Sequence, residues 1–456
     1  MPVKRTVKRD GKTASPATRV QVGLRFGIDR AAQPVGDRVV GTLALSGGRP
    51  LFFFDDTFLA DHLPLSPFTL PVGPGAHAHD DPAFDRLPGL LADALPDGWG
   101  RLLQDRAYQR AGWRLEDITP LDRLLAMGHA AMGALVFEPA TPLGPHAWDT
   151  GPVSFDLGAV AAQTARILEG SQEEVLEAVM LTGGSPGGAR PKSVIGLKDD
   201  IGGPRLIAGT TTGFARGTHL ALPDDFDAWL LKFANPDDRR LFGDEVGAVE
   251  AAYAAVALDA GVTVPPTRLL TDATGERHFA VQRFDRFGPG GRGRVHMHTA
   301  SGLLHAPFRL PSLDYESLLA LTQELTRSYA DVRQMFRRMA FNVFTYNRDD
   351  HGRNFAFLME ADGTWQLAPA YDLMYSAGVN GRHTTSVGGV DDYPTRANLR
   401  AVGRNASLEV AHIAADLAQV QDAVAGFPAV AKALGCGRTV IKTLTSRFDE
   451  VARRAG

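Results

Sequence analysis

The segment NRDDHGRNFAFL, residues 347–358, sets the hardest condition this chain must meet. Five of its twelve residues are ionisable, and they stand directly before an apolar run. Ionic groups are costly to bury, so they must sit at the edge of an element whose other half lies in the core. The preceding DVRQMFRRMAFNVFTY places Val332, Met335, Phe336, Met339 and Val343 on one helical face, which predicts a helix ending at Asn347. NFAFLME, ADGT and WQLAPAYD then read as strand, turn and strand, with Asp362-Gly363 as the hairpin signal. Folding about this turn brings Asn354 opposite the region of Tyr371 and Asp372, because cross-strand neighbours are only ~5 Å apart. An amide oxygen and a carboxylate side by side, with Asp349 just before them, suit Mg²⁺, which takes one or two carboxylates plus phosphate oxygens. The apolar run is then the rigid strand that positions them.

The spacing Asp349-x-x-x-x-Asn354, with Arg348 before the aspartate, is that of a kinase catalytic loop. There the aspartate orients the acceptor hydroxyl and takes its proton, and the asparagine holds a metal. A second metal-binding aspartate follows a short hairpin, where Asp372 stands. A plain polar turn would leave three close acidic groups, Asp349, Asp350 and Asp372, without a reason. His351 reads as a structural hydrogen-bonding residue.

A kinase also needs a loop over the phosphates. LTGGSPGGARPKS supplies Gly183, Gly184, Gly187 and Gly188, and the backbone of Gly187, Gly188 and Ala189 can approach an anion closely. The segment also fits G-x-S-x-G, the nucleophile elbow of α/β-hydrolases. That rival needs the backbone N–H of the residue after the serine, and Pro186 has none. Lys232, in the apolar run DAWLLKFANP, is the expected cation for the nucleotide phosphates, with Glu245 or Glu250 as ion-pair partner. Gln282, through its backbone, and the Phe284 ring are candidate adenine contacts, with plain core as the alternative for Phe284.

Composition removes other classes. With 456 residues, 44% hydrophobic and 22% charged, the chain has ample core for two or three domains. A net charge of −4 gives no whole-protein field toward nucleic acid. No run approaches the ~18 apolar residues of a membrane helix. The single cysteine, Cys436, excludes an internal disulfide framework, fits a reducing cytoplasmic setting and reads as a small buried hydrophobe. Residues 1–19 read as a basic flexible tail, residues 20–150 as an N-terminal subdomain, residues 151–287 as a nucleotide-binding lobe and residues 288–456 as a helical lobe. GPGGRGR reads as the flexible joint between the last two blocks. HAHDD (His77 to Asp81) and HMH (His296 to His298) lack a complete ligand set and read as surface loops.

GGSPGGARPK, LLKF, VQRFDR, NRDDHGRNFAFL and LAPAYDLMYS, in this order, resemble the HipA family of serine/threonine-kinase toxins from bacterial type II toxin–antitoxin modules. LPDGWGRLLQDR and LDRLLAMGHAAMGALVFEP resemble its N-terminal subdomain, so the likeness covers roughly residues 20 to 400. It implies an α+β, two-lobed protein-kinase-like fold related to lipid kinases, with an extra N-terminal α/β subdomain and a mainly helical C-lobe. ATP and Mg²⁺ as cosubstrates, and a helix-turn-helix antitoxin of HipB type that carries the protein to its DNA operator, follow from the same resemblance. It makes Asp349 the catalytic aspartate, Asn354 and Asp372 the metal holders, Lys232 an ATP contact and Ser185 the autophosphorylation site. Family members phosphorylate translation components, chiefly aminoacyl-tRNA synthetases. Arg353 stands where many relatives have lysine, the stretch between the glycine loop and Lys232 is long, and the basic tail has no counterpart. Two other classes stay open: a kinase-fold phosphotransferase acting on a small molecule, and a non-catalytic partner of an antitoxin–DNA complex.

Overall fold

The computed structural model describes residues 7–9, 12–14, 16–139, 153–170, 190–201, 203–208 and 222–455. The chain forms two compact units, residues 1–233 with 285–297, and residues 234–284 with 298–456.

In the first unit a five-stranded antiparallel sheet is ordered His77–Ala78, Arg49–Phe54, Arg38–Ser46, Arg19–Leu24, Leu135–Glu138. Val20, Val22 and Leu24 alternate with exposed or half-buried residues, so one face of the Arg19–Leu24 strand enters the core. The Pro120–Met127 helix starts with a capping box from Thr119 and Asp122. A second antiparallel set runs Val153–Ser154, Gly203–Ala208, Lys192–Asp200, Asp227–Lys232.

The GPGGRGR segment is a packed turn, not a flexible joint. Gly290 is buried at φ +60°, and a Cβ there would run into the Leu222 carbonyl. Arg294 is buried and donates to the His129 carbonyl at 3.0 Å. The glycines serve close approach rather than mobility. HMH is likewise no surface loop: His296 and His298 are fully buried on the His296–Thr299 strand, and His296 Nε2 lies 3.3 Å from the Leu65 carbonyl. In HAHDD, His77 and Ala78 form a short strand against Leu51 and Phe52.

In the second unit the Val246–Asp259 helix is apolar on nearly every side and is buried accordingly. Its Tyr253 ring meets Phe341, Phe427 and Phe448 at centroid distances of 6.3, 5.5 and 6.1 Å. The Tyr253 hydroxyl donates to the Thr345 carbonyl at 2.8 Å, at the C-terminal end of the Tyr329–Phe344 helix. Asp416, fully buried, receives Arg333 and Arg337 from that helix, with bonds of 2.6 to 3.0 Å. Cys436 is buried, and burial pushes its thiol up to about 11, with the Glu245 charge adding to the effect. It is therefore no nucleophile at neutral pH. Among the described residues no helix is long and apolar enough to cross a membrane.

The aromatic cluster fixes the helix that delivers residues 347–354. Tyr253→Ala should cost ~3–5 kcal/mol of stability, and Tyr253→Phe about 1 kcal/mol for the lost hydrogen bond. Chemical denaturation of both variants checks the difference.

Candidate active site

The Tyr329–Phe344 helix ends, and Tyr346 turns the chain with φ +57°, rare for a bulky side chain. Asn347 closes the turn, its N–H donating to the Asn342 carbonyl and its Nδ2 to Asn342 Oδ1, both at 2.9 Å. Arg348 is 1% exposed. Its guanidinium donates to the Gly381 carbonyl and, at 2.6 Å, to the Asp392 carbonyl, and lies over the Tyr346 and Tyr393 rings at 3.9 and 4.7 Å. Its charge is spent inside the protein.

The two adjacent aspartates part company. Asp350 is 1% exposed. Its carboxylate accepts from the Tyr315 hydroxyl (2.9 Å), His383 Nδ1 (2.9 Å) and the N–H groups of Thr384 (2.8 Å) and Thr385 (3.2 Å). The Thr385 hydroxyl donates to its carbonyl. Burial and the Asp350 charge push the Tyr315 phenol well up, so it stays a donor. Asp350 is thus explained by the fold, and the acidic trio reduces to Asp349 and Asp372. The Asp349 carboxylate is half exposed, with His351 Nε2 3.8 Å away. The His351 ring packs edge-on against Phe308, with centroids 5.5 Å apart.

A one-turn helix, Gly352–Asn354, brings the chain into the Ala356–Met359 strand. Asn354 Nδ2 donates to the Asp349 carbonyl at 2.6 Å, which turns its Oδ1 the opposite way. The strand pairs with Trp365–Leu367 in the register Phe357 to Leu367 and Met359 to Trp365. Ala368 N–H donates to the Ala356 carbonyl at 3.0 Å, so Asn354 falls beside Ala370 and Tyr371 as the hairpin pattern predicts. Asp372 follows at φ +57°. Aspartate tolerates this region better than most residues, and strain of this kind gathers at functional sites. Asn354, Tyr371 and Asp372 line one narrow pocket together with Arg338, Asn342 and Asp350.

Around it, the Tyr371 hydroxyl donates to the Arg353 carbonyl at 2.5 Å, and its ring lies 5.6 Å from that of Phe284. Phe284 is half-buried, with one side of its ring on Tyr371. Arg353 lies over the Phe308 ring at 4.2 Å. The Gln282 N–H is committed to the Pro266 carbonyl at 2.9 Å, so the Gln282 carbonyl is the backbone group left to meet a base. Glu245 is spent on the Gly437 N–H at 2.7 Å, and Glu250 is buried within its helix.

In the first unit Lys232 ends its strand and is 8% exposed. The sequence reading missed its neighbour. Lys192, 5% exposed, stands directly opposite Lys232 in the ladder. Like charges facing each other across a ladder are unfavourable, and two buried ammonium groups together suit a polyanion. Only the register could have found Lys192. The glycine loop, with Ser185, Gly187, Gly188 and Ala189, lies outside the described residues. A trio of ligand-type residues, Asp272, Glu276 and His278, sits at another hairpin. There His278 bonds Asp272 at 3.0 Å and Arg239 supplies the cation to Glu276.

Residues 184–426 match the HipA-like C-terminal domain, and residues 34–138 the HipA N-terminal domain. The chain is similar to one from the Shewanella oneidensis MR-1 complex of HipA, HipB and operator DNA, with a TM-score of 0.62 and 15% identity over 96% of both chains. It is also 24% identical over 245 residues to Y4dM of Sinorhizobium fredii, provisionally named a kinase, covering 50% of this chain and 55% of Y4dM. The match thus spans about half the length of that curated relative. The fold is α+β and is shared with the HipA chain of the Shewanella complex. The chain belongs to the HipA family.

The two aspartates make a direct comparison. Asp349→Asn should change stability by no more than ~0.5 kcal/mol, as an exposed substitution does. Asp350→Ala should cost about 3–5 kcal/mol, because it strips a buried charge from its partners. Urea midpoints of the two variants test the division.

Proposed function

We propose that this chain is an ATP- and Mg²⁺-dependent serine/threonine protein kinase that serves as the toxin of a toxin–antitoxin module. The observation that carries the reading is the grouping of Asn354 and Asp372 on one pocket, with the half-exposed Asp349 on the adjoining loop, its carbonyl accepting from the Asn354 amide and the loop anchored by Asp350. The donor set fits the cation, since the amide oxygen and the carboxylate that line this pocket are hard oxygen ligands. Asn354 and Asp372 would hold Mg²⁺, which when bound neutralises charge on the phosphate oxygens. Lys232, with Lys192 beside it, and the backbone of Gly187, Gly188 and Ala189 would hold the phosphates. The Phe284 ring and the Gln282 carbonyl would receive the adenine. Asp349 would orient the acceptor hydroxyl and take its proton.

The acceptor is a serine or threonine hydroxyl of a translation component, an aminoacyl-tRNA synthetase in this reading, in the cytoplasm. The likeness to the Shewanella complex supports a HipB-type antitoxin as partner and operator DNA reached through it. Ser185 is the proposed autophosphorylation site.

Incubation of purified protein with Mg-ATP, followed by phosphopeptide mapping, is the deciding experiment. Phosphate on serine or threonine is expected; its absence from this chain and from every candidate protein would sink the kinase reading. Asp349→Asn should lower transfer at least ~10²-fold, the scale of a lost general base. Asp372→Asn, which keeps the left-handed backbone, should weaken ATP binding in Mg²⁺ and leave it unchanged in EDTA.

Phosphorylation of Ser185 would add about −1.5 to −2 charges beside the ATP phosphates. Calorimetry should find much weaker ATP binding by phospho-Ser185 protein and normal binding by Ser185→Ala. Equal affinities would remove Ser185 as an off-switch.

A further inference from the structure

The Arg438–Ala455 helix carries Arg447, Glu450 and Arg454 at spacings of three and four, so the three side chains share one face. The Glu450 side chain is 21% exposed, and its carboxylate accepts from Arg447 Nη1 at 3.1 Å and pairs with Arg454 Nη2 at 3.3 Å. Pairs of this spacing are ordinary on solvated helix faces and contribute little alone. A third donor sets this carboxylate apart. The Tyr393 hydroxyl, from a segment 57 residues earlier, donates to Glu450 Oε1 at 2.8 Å. Burial and that bond push the Tyr393 phenol up to about 12, so it stays a donor at neutral pH.

The Tyr393 ring is where the last helix meets the loop that carries Asp349. The Arg454 guanidinium lies 3.9 Å from its centre, and the buried Arg348 guanidinium 4.7 Å. Arg348 also lies 3.9 Å from the centre of the Tyr346 ring, which Arg447 approaches to 5.9 Å. Tyr346 in turn stacks on Tyr375, with ring planes 10° apart. Arg348 Nη1 and Nη2 each have a carbonyl, but its Nε has no hydrogen bond among the described residues. The electron-rich ring faces supply what the two carbonyls leave out. A phenol that donates to a carboxylate is polarised toward the anion, which strengthens its ring as a seat for the cation. Arg348 N–H donates to the Ser376 carbonyl at 3.2 Å, and Asp349 is the next residue. A Tyr393 ring left to turn would loosen Arg348 and, with it, the backbone that aims Asp349.

Resting on the reading of Asp349 given above, we propose that Glu450 is a positioning residue for the Asp349 loop. It fixes the Tyr393 ring, and that ring seats Arg348, the residue before Asp349. Glu450 acts through these two side chains and touches none of the reacting groups.

Two measurements on the full chain test this in Glu450→Ala, in Glu450→Gln, which keeps an acceptor for Tyr393, and in Tyr393→Phe, which keeps the ring and loses the bond. The first follows phosphate incorporation into the chain at saturating Mg-ATP, with Mg-ATP affinity measured by calorimetry. Glu450→Ala should slow incorporation at least tenfold and leave affinity within twofold; Glu450→Gln should recover most of the rate, and Tyr393→Phe should fall between. The second is hydrogen exchange read by mass spectrometry. Amides of residues 346–354 should exchange at least tenfold faster in Glu450→Ala, and those of the Val410–Ala425 helix at the wild-type rate. Tyr393→Phe carries both measurements should Glu450→Ala fail to fold. Unchanged exchange in residues 346–354, exchange that rises equally in the Val410–Ala425 helix, or a wild-type rate of incorporation would reduce Glu450 to a helix-surface ion pair and overturn the proposal. Faster exchange confined to the loop, in a protein whose wild type incorporates no phosphate, would uphold the link from Glu450 to the loop and overturn the kinase reading instead.

Discussion

The burial of Asp350 is the constraint on which the rest of the site depends. A carboxylate removed from water must be repaid by donors on nearly every side. Those donors come from one helix, through Tyr315, and from the segment around residues 383–385. Three stretches far apart in sequence are thereby locked around residue 350. Asp349, one residue earlier, is carried to the surface by the same chain direction and inherits the rigidity without losing its exposure. A doubled aspartate achieves by adjacency what a single exposed residue on a loop could not: one carboxylate fixes the backbone and the other stays half exposed on it.

The same economy governs the arginines. Arg348 spends its charge on two carbonyls and two tyrosine rings, so it clamps the loop instead of binding a phosphate. Arg333 and Arg337 neutralise Asp416 and tie their helix to Val410–Ala425. Arg338, on the same helix, bonds only the Ala368 carbonyl among the described residues. Three arginines within six positions thus divide between two tasks, decided by which face of the helix each occupies.

Much of this was legible in local pattern. The helix before Asn347, the hairpin about Asp362-Gly363 and the approach of Asn354 to Tyr371 follow from a period of 3.6, a period of 2 and one turn dipeptide, all short-range signals. What was not legible depended on distant partners. The spacing to Asn354 singles out Asp349 in NRDDHGRN, but nothing there shows that Asp350 is buried, because the groups that bury it lie some 35 residues away on either side. Lys192 joins Lys232 only through strand register. The GPGGRGR glycines suggest mobility by composition, yet Gly290 is where it is because the Leu222 carbonyl leaves no room for a Cβ. His296 and His298 look solvated in sequence and are interior because a strand passes there.

The backbone strain around the site completes the physical picture. Tyr346 and Asp372, on either side of the 347–354 loop and its hairpin, both adopt left-handed conformations that glycine would take more cheaply. Glycine at 346 would lose the ring that stacks on Tyr375 at 5.5 Å and carries the Arg348 guanidinium at 3.9 Å. Glycine at 372 would lose the carboxylate. Each residue therefore costs ~1–3 kcal/mol in backbone terms, and each side chain supplies a contact that no unstrained alternative at that position could. With the chain held at Tyr346, Asp350 and Asp372, the backbone between has little freedom to follow a ligand. The freedom that remains at this pocket is in side-chain torsions, those of Asn354 and Asp372 among them.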